Sequence, residues 1–508
     1  MDYISTYAGK QPEAVALIEG ERRLTWAALL ERRNRLASAL RGFGIGRGDN
    51  VIVYEVNSLD CMIAPAAVRS TGAVAAPMNH RLTAEEVAYI LDNADAAVVF
   101  VGDAFLGIAD AVRRDAAKVR HWITMGPERR PWAHALEDLV AQGSPETVPE
   151  DPELGLGGSM IYTGGTTGRP KGAIRGAVDP QVTMRFLKAL DLAEPHVHLA
   201  AGPLYHSAPG SFANTTLLFG GQVVVMRKFD AEEALHAIHT HRCTSTFMAP
   251  TLVKRIVDLP AHVRARYDVS SMKVLVVAAA PCPMRVKEQA MQYFGPTLYE
   301  FYGSTELSVN TILRPEDVLR KPGSCGRAAP GIELAILDDA GAPVPVGEPG
   351  ELYVRRYAGV FDGYYKNPGA TRETQRGDWL SVGDVAYVDA EGFYYICDRK
   401  RDMIISGGVN IYPAEIEDAL HRHPDVEDVA VFGVPDEEWG ERVHAAVQPR
   451  AGARLSAEQI IRFAREHLAD YKAPREVSFH PQFPRDAAGK LIKRVLREPY
   501  WAGRTTRV

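Results

Sequence analysis

YTGGTTGRPKG, residues 162–172, places four glycines, three threonines, an arginine and a lysine within eleven positions. A strand-like run, SMIY (159–162), leads into it. Gly164, Gly165 and Gly168 let backbone N–H groups converge on an anion, Thr163, Thr166 and Thr167 add hydroxyl donors, and Lys171 adds charge. The P-loop of kinases and GTPases requires Gly-Lys-Ser/Thr running directly into a helix, whereas Lys171 follows Pro170 and precedes Gly172. The stretch therefore reads as a strand followed by a phosphate-holding loop of another kind.

The segments on either side alternate strand and helix. Thr25 can cap a helix that carries Leu29, Leu36 and Leu40 on one face and stops near Gly42 and Gly44. VIVYEV (51–56) and AAVVFV (96–101) read as buried strands, and GSPETVPEDPE (143–153) as a loop or linker. QVVVMR (222–227) and MKVLVVAAA (272–280) read as central strands beyond the loop. This is the rhythm of layered α/β domains. From about residue 320 short strands take over, ELAILD (333–338), ELYVRR (351–356) and FYYICD (393–398), separated by Gly/Pro turns. A helix over 413–423 and a second behind the capping box Ser456 to Gln459, with Ile460, Phe463, Ala464 and Leu468 on one side, open an α+β unit. The expected fold is α/β: a large N-terminal domain over 1–400, built of layered α/β subdomains and a small β-barrel-like subdomain at about 320–400, and a small mobile α+β domain over 401–508.

Composition fits an enzyme acting on small molecules. The 508 residues exceed one hydrophobic core, and apolar and charged fractions of 46% and 24% are those of an ordinary globular chain. A net charge of −6 gives no electrostatic reason to expect nucleic acid as a partner. Cys61, Cys243, Cys282, Cys325 and Cys397 form neither C-x-x-C pairs nor a disulfide framework, which points to a reducing cytoplasm. MDYISTYAGK lacks signal-peptide design, and no apolar run approaches the roughly 18 residues of a membrane helix. Peripheral membrane contact and homo-oligomerisation stay open.

Further motifs follow in order: AAAP (278–281), YGSTE (302–306), GDWLSVGD (377–384), DRKRDMIISGGVNIYP (398–413) and PRDAAGKLIKR (484–494). Together with YTGGTTGRPKG, this collinear set resembles the adenylate-forming acyl-CoA synthetases, relatives of luciferases and of peptide-synthetase adenylation domains. The resemblance spans almost the whole chain. It implies that residues 163–168 and Lys171 wrap the triphosphate of ATP, with Gly164 in place of the usual serine. It implies that the backbone at Ala279 and Ala280 lies against adenine, with alanines at 278 and 279 where glycines are usual. Tyr302 would stack on adenine, with Gly303 beside it, while Thr305 touches phosphate and Glu306, with Thr163, holds Mg2+. A carboxylate suits that hard, oxygen-seeking cation. Asp384 and Arg399 would bind ribose or phosphate, with Val382 replacing the usual threonine. Arg401 would be the hinge, and Gly407 and Gly408 would line the coenzyme A tunnel, with Val409 replacing the usual glutamate. Lys490 would be the catalytic lysine.

The implied reaction joins a carboxylic acid to AMP with release of pyrophosphate, then transfers the acyl group to coenzyme A. Two anions meet in the first step, so fixed positive charge is the remedy. The resemblance makes His206, in PLYHSAPGSFANTT (203–216), the gate beside the carboxylate, with Tyr205, Ser211 and Phe212 in the acyl pocket. Small residues at Ala208, Gly210, Ser211 and Ala213 leave room for a bulky or extended acid; fatty, aromatic and steroid side-chain acids stay open. One alternative is a coenzyme A-independent adenylating enzyme that charges a carrier protein, acting in trans because no carrier domain follows Val508, or another acceptor. The other is a non-enzymatic nucleotide sensor, against which Glu306, Arg399 and Lys490 speak.

Overall fold

The structure is a computed structural model that describes residues 2–146, 158–163, 170–175, 180–357, 360–400, 402–406, 409–485 and 491–502. Its first sheet has nine strands, in the order Arg327–Ala328, Ser308–Leu313, Leu298–Ser304, Val274–Val277, Ser245–Met248, Val197–Ala200, Gln222–Val225, Val15–Glu19 and Arg22–Thr25. From Leu298–Ser304 to Val15–Glu19 every pairing is parallel, and antiparallel strands close both ends. Strands such as Val274–Val277 are buried throughout, as a parallel sheet covered on both faces requires.

The second sheet has eight strands, in the order Gly363–Tyr364, Lys171–Arg175, Ser159–Thr163, Val74–Pro77, Asn50–Tyr54, Ala96–Val101, His121–Thr124 and His134–Ala135. Helices Trp26–Gly42 and Leu59–Ser70 join the two sheets. Leu36, Ala37, Leu40, Ala64, Ala67 and Val68 pack with the second sheet's strands, whereas Trp26, Leu29, Leu59, Met62, Ile63 and Ala66 pack with the first. Thr25 starts the earlier helix as its sequence predicts, accepting a hydrogen bond from the Ala28 N–H at 3.2 Å.

A third sheet, of six antiparallel strands, lies within residues 334–399. The last sheet has five strands, two of them long, Val426–Asp436 and Gly440–Pro449. Side-chain alternation along Val426–Asp436 separates two cores. Val429 and Val431 meet helices Pro413–His421 and Ala457–His467, while Ala430, Phe432 and Val434 meet Phe483 and Leu496. The capping box at Ser456 forms in both directions, and Leu468 lies one residue past the helix it was expected to share. The strand expected over 272–280 narrows to Val274–Val277, since Ala279 takes a φ of +78° that no strand accommodates. The expected linker lies outside the described residues from position 147 onward.

Candidate active site

Strands Ser159–Thr163 and Lys171–Arg175, on either side of the glycine-rich stretch, are antiparallel, with Thr163 opposite Lys171. Gly164, Gly165, Thr166, Thr167 and Gly168 lie outside the described residues. Lys171, expected in the loop, opens the second strand. A further strand, Gly363–Tyr364, pairs with that one through Ile174 and Ala173. It brings the Tyr364 ring beneath the Lys171 ammonium, 5.3 Å from the ring centre, within the range of a cation–π contact.

Glu306 occupies the tight connection between Leu298–Ser304 and Ser308–Leu313. Gly303 faces the other limb of this turn so closely that an added Cβ would stand 2.0 Å from the Ser308 carbonyl oxygen. The connection thus requires glycine at 303 and holds the half-buried Thr305 beside Glu306. The Glu306 carboxylate is buried and accepts from the Tyr364 hydroxyl at 2.8 Å and the Thr163 hydroxyl at 3.5 Å. It forms no ion pair among the described residues. This buried carboxylate meets hydroxyls directly and the Arg175 guanidinium only across space, a setting that a hard cation would satisfy. No group of three or more His, Cys, Asp or Glu among the described residues could hold a metal alone, so a cation at Glu306 would complete its shell with phosphate oxygens and water.

On the other side of the turn, the Tyr302 hydroxyl donates to the Asp384 carboxylate. Arg399, opposite Asp384 on the neighbouring strand, places Nε 3.3 Å from the same carboxylate. Burial, followed by the Asp384 charge, pushes the Tyr302 phenol far above its ordinary pKa, so it stays a donor. Ala279 and Ala280 follow the end of Val274–Val277. These groups, together with Thr305 and Glu306 after Leu298–Ser304 and His206 beyond Val197–Ala200, all lie past the carboxyl ends of parallel strands. Open α/β sheets bind ligands in that position.

His206 is the N-cap of helix Ser207–Leu218. The approach to it is fixed by buried Asn57, which donates to the carbonyls of Gly202 and Met226 at 2.8 and 3.0 Å and accepts from the Leu204 N–H at 2.8 Å. The rings of Tyr205 and His206 touch, with centres 4.3 Å apart. Phe212 is buried among Phe186, Phe247 and Phe301, whereas Ser211 is exposed. Of the small residues expected to leave volume, Gly210 sits against the Leu204 carbonyl oxygen and Ala213 packs in the core shared with Ile4 and Leu17. Their smallness serves close packing.

The profile of the family described as "AMP-binding enzyme" matches residues 4–365, and that of "AMP-binding enzyme C-terminal domain" matches residues 415–490. The chain belongs to the AMP-binding enzyme family. Within it, the relatives are acyl- and aryl-CoA ligases. The indoleacetate–CoA ligase of Aromatoleum aromaticum is 34% identical over 98% of this chain and 97% of its own, and the feruloyl-CoA synthase of an Amycolatopsis species is 35% identical over 97% of each. Among solved structures, the amide bond synthetase McbA of Marinactinospora thermotolerans superposes with a TM-score of 0.86 at 29% identity, covering 98% of this chain and 99% of that one. This member of the family is an ATP-dependent carboxylic acid:CoA ligase, with the acid, ATP and coenzyme A as its substrates.

The segment beside the expected hinge carries a cluster of a different kind. Asp398 accepts from the N–H groups of Arg399 and Ala414 at 2.7 and 3.2 Å, and its carboxylate lies 3.8 Å from the Lys493 ammonium, which also pairs with Glu417 at 2.8 Å. Arg497 pairs with Asp402 at 3.0 Å. Burial raises Asp398 to about 6 although Lys493 opposes the shift. Arg401, Gly407, Gly408 and Lys490 lie outside the described residues. Two residues beyond the sequence motifs enter the site: Tyr364, the donor to Glu306, and Arg175, which bridges Ser207 and Ser308.

Proposed function

We propose that this acid–CoA ligase activates an aromatic or similarly bulky carboxylic acid in the cytoplasm, with Mg2+ held at Glu306 and Thr163. The observation that carries the reading is the Glu306 carboxylate, buried against the hydroxyls of Tyr364 and Thr163, beside Lys171 and without a cationic partner among the described residues. The cation would spread the charge of the phosphates during acyl-AMP formation. Tyr364 and Thr163 orient the carboxylate that holds it, Lys171 contributes a fixed charge, and Asp384 with Arg399 receives the ribose once the Tyr302 hydroxyl gives way. His206 stands beside the incoming carboxylate. Residues 401–508 form a mobile domain that turns about Arg401, bringing Lys490 to the first step and Gly407 and Gly408 to the second. The aromatic substrates in the names of the indoleacetate and ferulate relatives favour an aryl acid. All five cysteines are free thiols, in keeping with a reducing compartment.

The test is pyrophosphate release from ATP over a panel of aryl and alkyl acids, followed by thioester formation on adding coenzyme A. Lys490→Ala is expected to lower pyrophosphate release by about a hundredfold or more while making thioester from synthetic acyl-AMP at close to the normal rate. Unchanged pyrophosphate release would remove Lys490 from the mechanism. Equal loss of both steps would mean a folding defect.

A further inference from the structure

Arg175 is a basic residue whose charge nothing in the established reaction employs. It ends strand Lys171–Arg175, with its side chain on the same face as Lys171 and Ala173 by strand alternation. One guanidinium nitrogen, Nη1, lies 3.1 Å from the Ser207 hydroxyl, next to His206. The other, Nη2, lies 3.2 Å from the Ser308 hydroxyl, two residues beyond Glu306. The cation therefore spans the gap between the helix that starts at the gate and the strand that follows the metal-holding turn. Its third nitrogen, Nε, is buried and has no hydrogen-bond partner among the described residues.

No carboxylate among the described residues forms an ion pair with this guanidinium; Tyr357 and Glu306 act on it only across space, and burial pulls its pKa down. Elsewhere the chain neutralises its enclosed arginines. Arg33 pairs with Asp2 at 2.8 Å, and Arg32 pairs with Asp60 at 2.8 Å. A guanidinium removed from water and met only by neutral hydroxyls is costly unless an anion arrives, and its planar fork is shaped for a carboxylate. The phosphate end of the site is an unsuitable source, because Lys171 is four residues, about 13 Å of extended chain, further along the strand.

We propose that Arg175 is the carboxylate anchor of the acid site, receiving between Ser207 and Ser308 a carboxylate of the acid to be activated. The proposal rests on the ligase reading above and names the group that holds its substrate. The carboxylate has two sources: the one being activated, or a second one carried by a dicarboxylic acid.

The experiment compares wild type, Arg175→Met and Arg175→Lys in steady-state pyrophosphate release, using phenylacetate and 3-carboxyphenylacetate as the acids, with melting curves for each protein. Arg175→Met is expected to raise the KM for acid about tenfold or more and to leave the KM for ATP within about twofold. Arg175→Lys should recover part of the loss, since it keeps the charge and loses the fork. A rise with both acids identifies the reacting carboxylate; a rise with the dicarboxylate alone identifies a second one. If Arg175→Met fails to fold, the acid KM of Arg175→Lys decides the question. Acid KM values unchanged in a folded variant, or a rise in the KM for ATP instead, would overturn the proposal. A wild-type protein that releases pyrophosphate with no acid of a broad panel would overturn the ligase reading and this anchor together.

Discussion

Glu306 and Asp398 are both enclosed carboxylates, yet their surroundings differ in kind. Asp398 is answered by the Lys493 ammonium and two backbone N–H groups, and its neighbour Glu417 shares the same lysine. Glu306 is answered by two hydroxyls, with the nearby Lys171 directed at a tyrosine ring. Arg175 repeats the Glu306 pattern with opposite sign. Where a lysine faces the enclosed carboxylates, the groups hold segments together, although burial still raises Asp398. Where charge meets only neutral hydroxyls among the described residues, as at Glu306 and Arg175, we propose that the balance is reserved for ligand. The turn after Val274–Val277 also carries backbone strain, since Ala279 holds a φ of +78° that glycine adopts without penalty.

Breaking the completed cluster should give the larger effect on stability. Lys493→Met leaves Asp398 and Glu417 enclosed without their counter-charge, and a loss of about 3–5 kcal/mol is expected from one partner's removal. Denaturant unfolding of the transition that includes residues 413–501 measures it. A loss below about 1 kcal/mol would mean that water, rather than Lys493, satisfies these carboxylates.

The same cluster predicts a pH dependence. Burial raises Asp398 to about 6, above its unfolded value of 3.8, so the folded protein takes up a proton that the unfolded chain does not. The stability contributed by this group is fully present below the unfolded value and lost as pH rises through about 6. Relative to Asp398→Asn, the wild-type protein should therefore gain melting temperature as pH falls from 7.5 to 5. A constant difference across that range would assign the carboxyl an ordinary pKa.

The smallest effect concerns strain. Ala279→Gly should relieve the left-handed backbone at a position whose side chain is exposed, raising stability by about 1 kcal/mol or slightly less, as read from the denaturant midpoint. A loss of stability would show that the chain's contacts at this turn use the alanine methyl.

Much of the fold was legible because its determinants are local. Thr25 and Ser456 cap their helices through bonds spanning three residues, and AAVVFV forms the strand Ala96–Val101 with no shift in its ends. Glu306, Asp384 and Arg399 were singled out through the likeness of their motifs to the family's, and the structure brings Asp384 and Arg399 together. Tyr364 and Arg175 were not singled out. The bonds that bring them to the site cross 58 residues to Glu306 and 133 to Ser308, and that of Tyr364 depends on strand Gly363–Tyr364 leaving the region of the third sheet to pair with the second. Gly210 and Ala213 were misread for a related reason. A small residue in a helix reads as free volume until the neighbours that fill the space are known, and here they are the Leu204 carbonyl oxygen and the core around Leu17.

The central claim is that Glu306 is a carboxylate held ready for a cation in the adenylation step. Its most direct test is the rate of pyrophosphate release as Mg2+ is titrated at saturating ATP and acid, for the wild-type protein and Glu306→Gln. The amide keeps one oxygen toward Tyr364 and Thr163 and removes the charge. The account predicts a higher Mg2+ requirement and a maximal rate lower by about a hundredfold. A Glu306→Gln protein with the wild-type Mg2+ dependence and rate would contradict it.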